Sequence, residues 1–304
     1  MTTGLPHAPA PFFGRALCAM VTPFTASGAL DLDGAQRLAD RLVAHGCDGL
    51  VLSGTTGESP TTSDKEKAEL VRAVREAVGE GVPLVAGVGT ADTRHTVDLA
   101  LAAGKAGADG VLVAAPYYSR PPQDALAAHF RAVADACGLP VMLYDVPGRT
   151  GVRIAPETMI GLAEHPGIVA VKDCSYDLLG VQKVLARTGL AYYAGCDEQI
   201  LALYAVGAAG YVSTVANVAP RRLRSILDAF DRGDTREAAR RQLRALDLIE
   251  AMMPTDLPGT VTAKSLLTAL ALPSGPLRPP LLPAAPETAL ALRTAYDHLM
   301  ASPE

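Results

Sequence analysis

Several chemical signatures are missing from this chain of 304 residues, and each absence narrows what it can do. Its five cysteines (Cys18, Cys47, Cys137, Cys174 and Cys196) form no CxxC pair and no tight cluster. That argues against a disulfide scaffold and suits a reducing, cytoplasmic setting. The six histidines show neither HxH nor HExxH spacing, so no metal site is expected. No apolar run approaches the ~18 residues of a membrane span. The opening "MTTGLPHAPAPFFG" lacks a basic start followed by an apolar core, so residues 1–14 read as a flexible N-terminal tail rather than a signal peptide. Basic charge is also scarce. The formal net charge is −5, and only "RRLRS" (221–225), which reads as a solvated helix face, stands out. Nucleic acid and membranes are therefore not expected as partners.

What is present is a repeating pattern. Short apolar runs begin at Ala16, Gly49, Pro83, Gly110, Pro140, Ile168, Ala191 and Gly210, and amphipathic stretches separate them. Helical segments such as "DGAQRLADRLVAHG" and "DKEKAELVRAVREAVG" end near glycine, and Asp or Ser stands at several starts. Continuous apolar strands alternating with helices predict an α/β fold whose parallel sheet is covered on both faces. An open doubly wound sheet would be one solution, but no Gly-rich dinucleotide fingerprint follows the first strand. Eight regular units match a closed (β/α)8 TIM barrel better. The expected organisation is a barrel over residues 15–233 and a C-terminal helical extension over 234–304. In that extension the Pro-rich "LPSGPLRPPLLPAAP" is a stiff connector between the last two helices.

Barrels of this kind carry their active sites at the carboxyl ends of the strands. Here those ends read "SGTTGES", "APYYSRP", "YDVPGRTG", "VKDCS" and "GCDE", whereas opposite loops such as "GEGVP" contain only turn residues. Lys172 stands out, because it closes the apolar run "IVAVKD". In water, with a pKa of ~10.4, only about one lysine in a thousand is neutral at pH 7. Burial disfavours the cation, and a neutral amine beside a carbonyl is the precondition for a Schiff base. The bland alternative is a lysine paired with Asp173 or another acid at the strand mouth. Tyr144, at the end of the neighbouring fifth strand, supplies a phenol able to move protons; taken alone it also reads as a core-edge tyrosine. Thr55 and Thr56 lie between Gly54 and Gly57 in a turn suited to a small anion, although Gly and Thr also make ordinary turns. Arg149 is a forked cation after a Pro-Gly turn, suited to a carboxylate or simply to the surface.

As a set, "AMVTPF", "GTTGESPTT", "PYYSRPP", "LYDVPGRTG" and "VKD" resemble the dihydrodipicolinate synthase/N-acetylneuraminate lyase family, and its actinobacterial synthase branch most. The resemblance runs through nearly the whole chain. It implies a class I pyruvate-dependent lyase that condenses pyruvate with L-aspartate 4-semialdehyde in lysine and diaminopimelate biosynthesis. Lys172 would form the imine with pyruvate, with no metal or organic cofactor. Tyr144, Thr55 and Tyr118 would relay protons, Tyr118 reaching in from a neighbouring copy. Thr56, Val212 and Gly195 match positions around pyruvate, and Arg149 matches the residue that binds the semialdehyde carboxylate. A homodimer or homotetramer is implied.

Departures from the family pattern cluster beyond Lys172. The synthases usually carry small or polar residues there, often Ala, where this chain has "DCSYD"; "GCDE" is closer to the lyases. Cys174 and Cys196 read as small apolar fillers near one mouth, with a reshaped acceptor pocket or a redox-sensitive pair as alternatives. A different aldehyde or keto-deoxy acid in a secondary pathway is thus the alternative function. Lys67 and His95 replace the His and Glu of some lysine-regulated members, so weak or absent lysine inhibition is expected. A phosphate-binding isomerase lacks a Gly cradle in "GAAGYVSTVAN", and a non-catalytic barrel would be free to lose Lys172 or Tyr144.

Overall fold

The computed structural model describes residues 12–302. Eight short strands are buried on both faces because each carries an almost unbroken apolar run. They are β1 (Ala16–Ala19), β2 (Gly49–Leu52), β3 (Leu84–Gly87), β4 (Gly110–Ala114), β5 (Val141–Asp145), β6 (Ile168–Asp173), β7 (Ala191–Ala194) and β8 (Gly210–Ser213). All pair in parallel, in sequence order, and the sheet closes on itself where Leu17 of β1 meets Val212 of β8. The expected (β/α)8 barrel is therefore the observed fold. Leu17, Val51, Val85, Leu112, Met142, Ala170 and Val212 fill its interior, so the barrel is a packed core rather than a channel.

The outer layer runs α1 (Leu32–Ala44), α2 (Asp64–Val78), α3 (Thr93–Ala106), α4 (Gln123–Cys137), α5 (Pro147–Thr150), α6 (Pro156–Leu162), α7 (Leu178–Arg187), α8 (Ile200–Ala205) and α9 (Pro220–Asp231). Side chains at the starts satisfy otherwise orphaned backbone donors. Asp31, Asp92 and Asp177 each accept from an amide of the first turn, and Ser63 with Glu66 forms a reciprocal capping box. Two helices rather than one follow β5, because the Pro-Gly turn of α5 ends at Gly151 in a left-handed conformation before α6 begins.

The tail expected over 1–14 lies outside the described residues up to position 11. Its last residues differ from that expectation. Phe13 is fully buried in the barrel floor, and the Tyr193 hydroxyl donates to the Gly14 carbonyl at 2.9 Å. Gly110 makes room for the ring, since a Cβ there would lie 2.5 Å from it. A barrel interior needs a plug at its closed end, and an aromatic ring buries more apolar area than any smaller side chain.

Beyond α9 lie α10 (Thr235–Met252), α11 (Gly259–Ala269) and α12 (Pro286–Ala301). The connector between the last two folds back onto the catalytic end of the barrel. Arg278 donates to Glu66, to the Gly28 and Thr61 carbonyls, and through its backbone N–H to Glu58. Lys264 of α11 makes a buried ion pair with Glu58 at 2.6 Å. Phe24 lies against both cations, its ring centre 4.1 Å from the Lys264 ammonium and 4.1 Å from the Arg278 guanidinium.

Removing the floor plug should cost stability. Phe13→Ala is expected to lower the unfolding free energy by about 3 kcal/mol in urea titrations at fixed protein concentration. A loss under about 1 kcal/mol would show that this ring does not seal the core.

Candidate active site

Strand alternation decides what faces the barrel mouth. Tyr144 and Lys172 are direct register partners on β5 and β6 and point inward, whereas their neighbours Asp145 and Asp173 point outward. The Lys172 ammonium nitrogen sits 4.5 Å from the centre of the Tyr144 ring, and both side chains are buried. Among the described residues no carboxylate lies within ion-pair distance of it. Asp173 does not play that part: its carboxylate accepts from the Ser175 amide and hydroxyl and from the Tyr192 hydroxyl. Burial holds the Lys172 amine below the ordinary lysine range, against the opposing pull of Cys174, Cys196 and Asp197. The ion-paired alternative is therefore set aside.

Burial also pushes the Tyr144 phenol well above its usual range, while Arg149 and a hydrogen bond with Thr55 act the other way. Thr55 is thus close enough to Tyr144 to act on its phenol. The Thr56 hydroxyl bonds that of Thr214 at 3.0 Å. The turn carrying both threonines is held from the C-terminal extension, where the Thr260 hydroxyl donates to the Thr55 carbonyl at 3.2 Å. Val212 is fully buried among the interior residues. Gly195 lies beside the lysine: a Cβ there would stand 2.5 Å from Cys174 Sγ and 3.1 Å from Lys172 Cε, so only glycine fits.

A cavity of about 390 Å³ opens above these residues. Thr55, Tyr144, Arg149, Lys67 and His95 are among the residues that line it. Lys172 does not line this cavity directly but stands behind the Tyr144 ring. Tyr118 is not in this chain's own site. It is 95% exposed at a φ of +71°, an unusual backbone state for a bulky residue, and Tyr117 lines the cavity in its place.

Comparisons with known proteins converge on one family. The model of the dihydrodipicolinate synthetase family matches residues 12–299. The chain belongs to that family. It is 75% identical over 301 residues to 4-hydroxy-tetrahydrodipicolinate synthase 1 of Streptomyces coelicolor, covering 99% of this chain and 98% of the relative. It is 56% identical to the Acidothermus cellulolyticus synthase, over 96% of this chain and 94% of that one. Among solved structures, the lysine-bound dihydrodipicolinate synthase of Cyanidioschyzon merolae superposes with a TM-score of 0.92 at 37% identity, over 96% of this chain and all of that one. The pyruvate complex of the Acinetobacter baumannii enzyme gives 0.90 at 31%, over 95% and 100%.

Some residues of this dihydrodipicolinate synthetase family site escaped the sequence reading. Thr214 directly follows β8, and only closure of the barrel brings it to Thr56, 158 residues earlier in the chain. Asp197 is buried, and its carboxylate accepts from the Ser213 hydroxyl and the Val215 amide; burial pushes it up to about 6. The quoted "GCDE" contained it without marking a role. Ser53 is strained at a φ of +52°, and among the described residues its buried hydroxyl has no partner. A partnerless hydroxyl is invisible in sequence.

Directly behind the site, Asp145 and Asp173 are register partners and both buried. Burial pushes Asp145 up to about 7, with Asp173 adding to the rise and a bond from the Ile154 amide opposing it. An acid raised in the folded state favours folding while protonated. That contribution is complete below the unfolded value near 4 and is lost as pH rises toward 7. Asp145→Asn should therefore flatten the fall in stability between pH 4 and pH 7 in denaturant titrations. An unchanged pH profile would refute a titrating Asp145.

Proposed function

We propose that this chain is a cytoplasmic class I lyase that condenses pyruvate with L-aspartate 4-semialdehyde to 4-hydroxy-tetrahydrodipicolinate through an imine on Lys172. The observation that carries this reading is a buried lysine without a carboxylate partner, packed against a phenol at the mouth of an apolar barrel. The neutral Lys172 amine attacks the pyruvate ketone. Tyr144 gives up and takes back the proton as the carbinolamine loses water, and Thr55 together with the partner subunit's Tyr118 connects it to solvent. The cationic imine draws electrons from the adjacent methyl, which loses a proton to give an enamine. The enamine carbon then attacks the aldehyde, and the substrate's own amine displaces Lys172 and closes the ring. Because the imine is itself the electron sink, the reading calls for no metal or organic cofactor. Thr56, Gly195 and the Val212 backbone hold pyruvate, and Arg149, exposed at the cavity rim, holds the carboxylate of the second substrate.

Tyr118 supports self-association, to a homodimer or homotetramer. A large apolar ring held strained and almost wholly in solvent gains if another copy covers it. No described helix is long and apolar enough to cross a membrane.

Borohydride with pyruvate should add a reduced pyruvyl group to Lys172, detected by intact mass and peptide mapping, and add none to Lys172→Ala. Tyr144→Phe should lower kcat by about 10²–10⁴ with the fold kept. A folded protein that traps no pyruvate would sink the proposal.

Lys67 donates to the Ser59 carbonyl at 2.9 Å and to the Thr62 carbonyl, and His95 bonds Asp64 at 2.9 Å. Lys67 thus places a cation in the cavity lining, where the ammonium of free lysine would be repelled. Lysine is expected to leave activity unchanged at submillimolar concentration; inhibition in a rate titration over that range would contradict this.

A further inference from the structure

We propose that Cys174 and Cys196 are a redox modification site: a hydroperoxide converts them to a reversible disulfide that shuts down the site around Lys172. The chain leaves β7 after Ala194, so Cys196 lies in a turn rather than in the strand expected to run through it. The last register pair of β6 and β7 is Asp173 with Ala194, and the Gly195 amide donates to the Asp173 carbonyl at 2.7 Å. Cys174 therefore stands opposite Gly195, with Cys196 one residue further along. A Cβ on Gly195 would stand 2.5 Å from the Cys174 sulfur, so that sulfur already reaches the residue next to Cys196. The two thiols are close enough to act on each other, Cys196 drawing Cys174 down and Cys174 pushing Cys196 up.

Reactivity follows from the surroundings. The bond from Cys196 holds the Cys174 thiol below the ordinary cysteine range, and Lys172 pulls the same way against burial. Cys196 is raised, by its bond to Cys174 first and then by burial. One thiol is thus poised to attack and the other to resolve. Both are only half-buried. Over them lies Tyr176, held at a φ of +60°, whose hydroxyl bonds both Glu198 and the Cys196 thiol. A bulky residue in this strained state marks a segment that can gain by rearranging. The other close thiols, Cys18 and Cys47, are buried in the core and out of a peroxide's reach. Cys137 is separate, its thiol pointing to the Leu139 carbonyl.

In the first step the Cys174 thiolate attacks one peroxide oxygen. The O–O bond breaks, the leaving hydroxide takes a proton to become water, and Cys174 is a sulfenic acid. Cys196 sulfur then attacks that sulfur, the S–O bond breaks, and the hydroxyl leaves as water with the Cys196 proton. Two thiols are oxidised and one hydroperoxide is reduced. The bridge removes the thiol that hydrogen-bonds Tyr144 and fixes sulfur in the space shared by Gly195 and the Lys172 side chain.

The test treats the reduced full-length protein with hydrogen peroxide, alkylates the remaining thiols and maps peptides by mass. A peptide joining Cys174 to Cys196, lighter by about 2 Da than its parts, should form before Cys18 or Cys47 changes. Pyruvate trapping and lyase activity should fall at least about tenfold and return with dithiothreitol. Cys196→Ser should give no linked peptide and no recoverable loss relative to its own untreated activity. The proposal fails if folded wild-type protein yields no such peptide, or if fully linked protein traps pyruvate as well as reduced protein. The activity arm rests on the Schiff-base reading and the mass arm does not. A linked peptide in protein that traps no pyruvate even when reduced would count against that reading and leave the disulfide standing.

Discussion

A lysine amine enclosed by apolar packing and an aromatic ring, with no carboxylate to pair with it, is the constraint on which this structure turns. Placing it there works against stability, since an ammonium would lose several kcal/mol of hydration. The closed barrel makes the position sustainable. Leu17, Val51, Val85 and Met142 pack the interior beneath it, and Phe13 plugs the floor. Every strand contributes to that packed column, so the lysine is held by the whole sheet rather than by any one neighbour. Burial lowers the proton affinity of the amine, the direction that imine chemistry would require.

Holding the lysine leaves the rest of the site to be positioned, and the C-terminal extension does much of this. Thr260 bonds the carbonyl of Thr55, Lys264 neutralises Glu58 three residues further on, and Arg278 ties the connector to the same loop. Glu58 sits at a φ of +56°, a state that the buried Lys264 ammonium and the Arg278 backbone N–H help maintain. The extension thus completes the threonine turn. Behind β5 and β6, outward-facing Asp145 and Asp173 engage Ile154, Ser175 and Tyr192 and brace the two strands that carry Tyr144 and Lys172. One residue of strand alternation separates the inward pair, Tyr144 and Lys172, from the outward pair, Asp145 and Asp173.

The two cysteines at the mouth belong to neither group. A thiol at position 174 lies near the phenol, the amine and a second thiol, and it is only half-buried. Nothing in the barrel's packing requires a sulfur there, because Gly195 leaves a space that a smaller side chain would also occupy. That freedom is what makes the pair available for control.

Eight apolar runs at regular spacing were enough to specify the barrel, because a strand covered on both faces has to be apolar along its length. The candidate residues at the strand ends were legible for a related reason. A lysine ending a buried strand, a tyrosine ending its neighbour and a double threonine between glycines each break a local pattern. Other features left no such mark. Phe13 looked like part of a loose tail, Asp173 looked like a partner for Lys172, and the expected seventh strand ran through Cys196. Each of these depends on which way a side chain points once the sheet has twisted and closed. Composition and periodicity, which act through burial along one segment, determined the fold and singled out Lys172. Distances between segments far apart in the chain, such as Thr260 to Thr55 or Cys174 to Cys196, were decided only by closure of the barrel, which sets register and facing together.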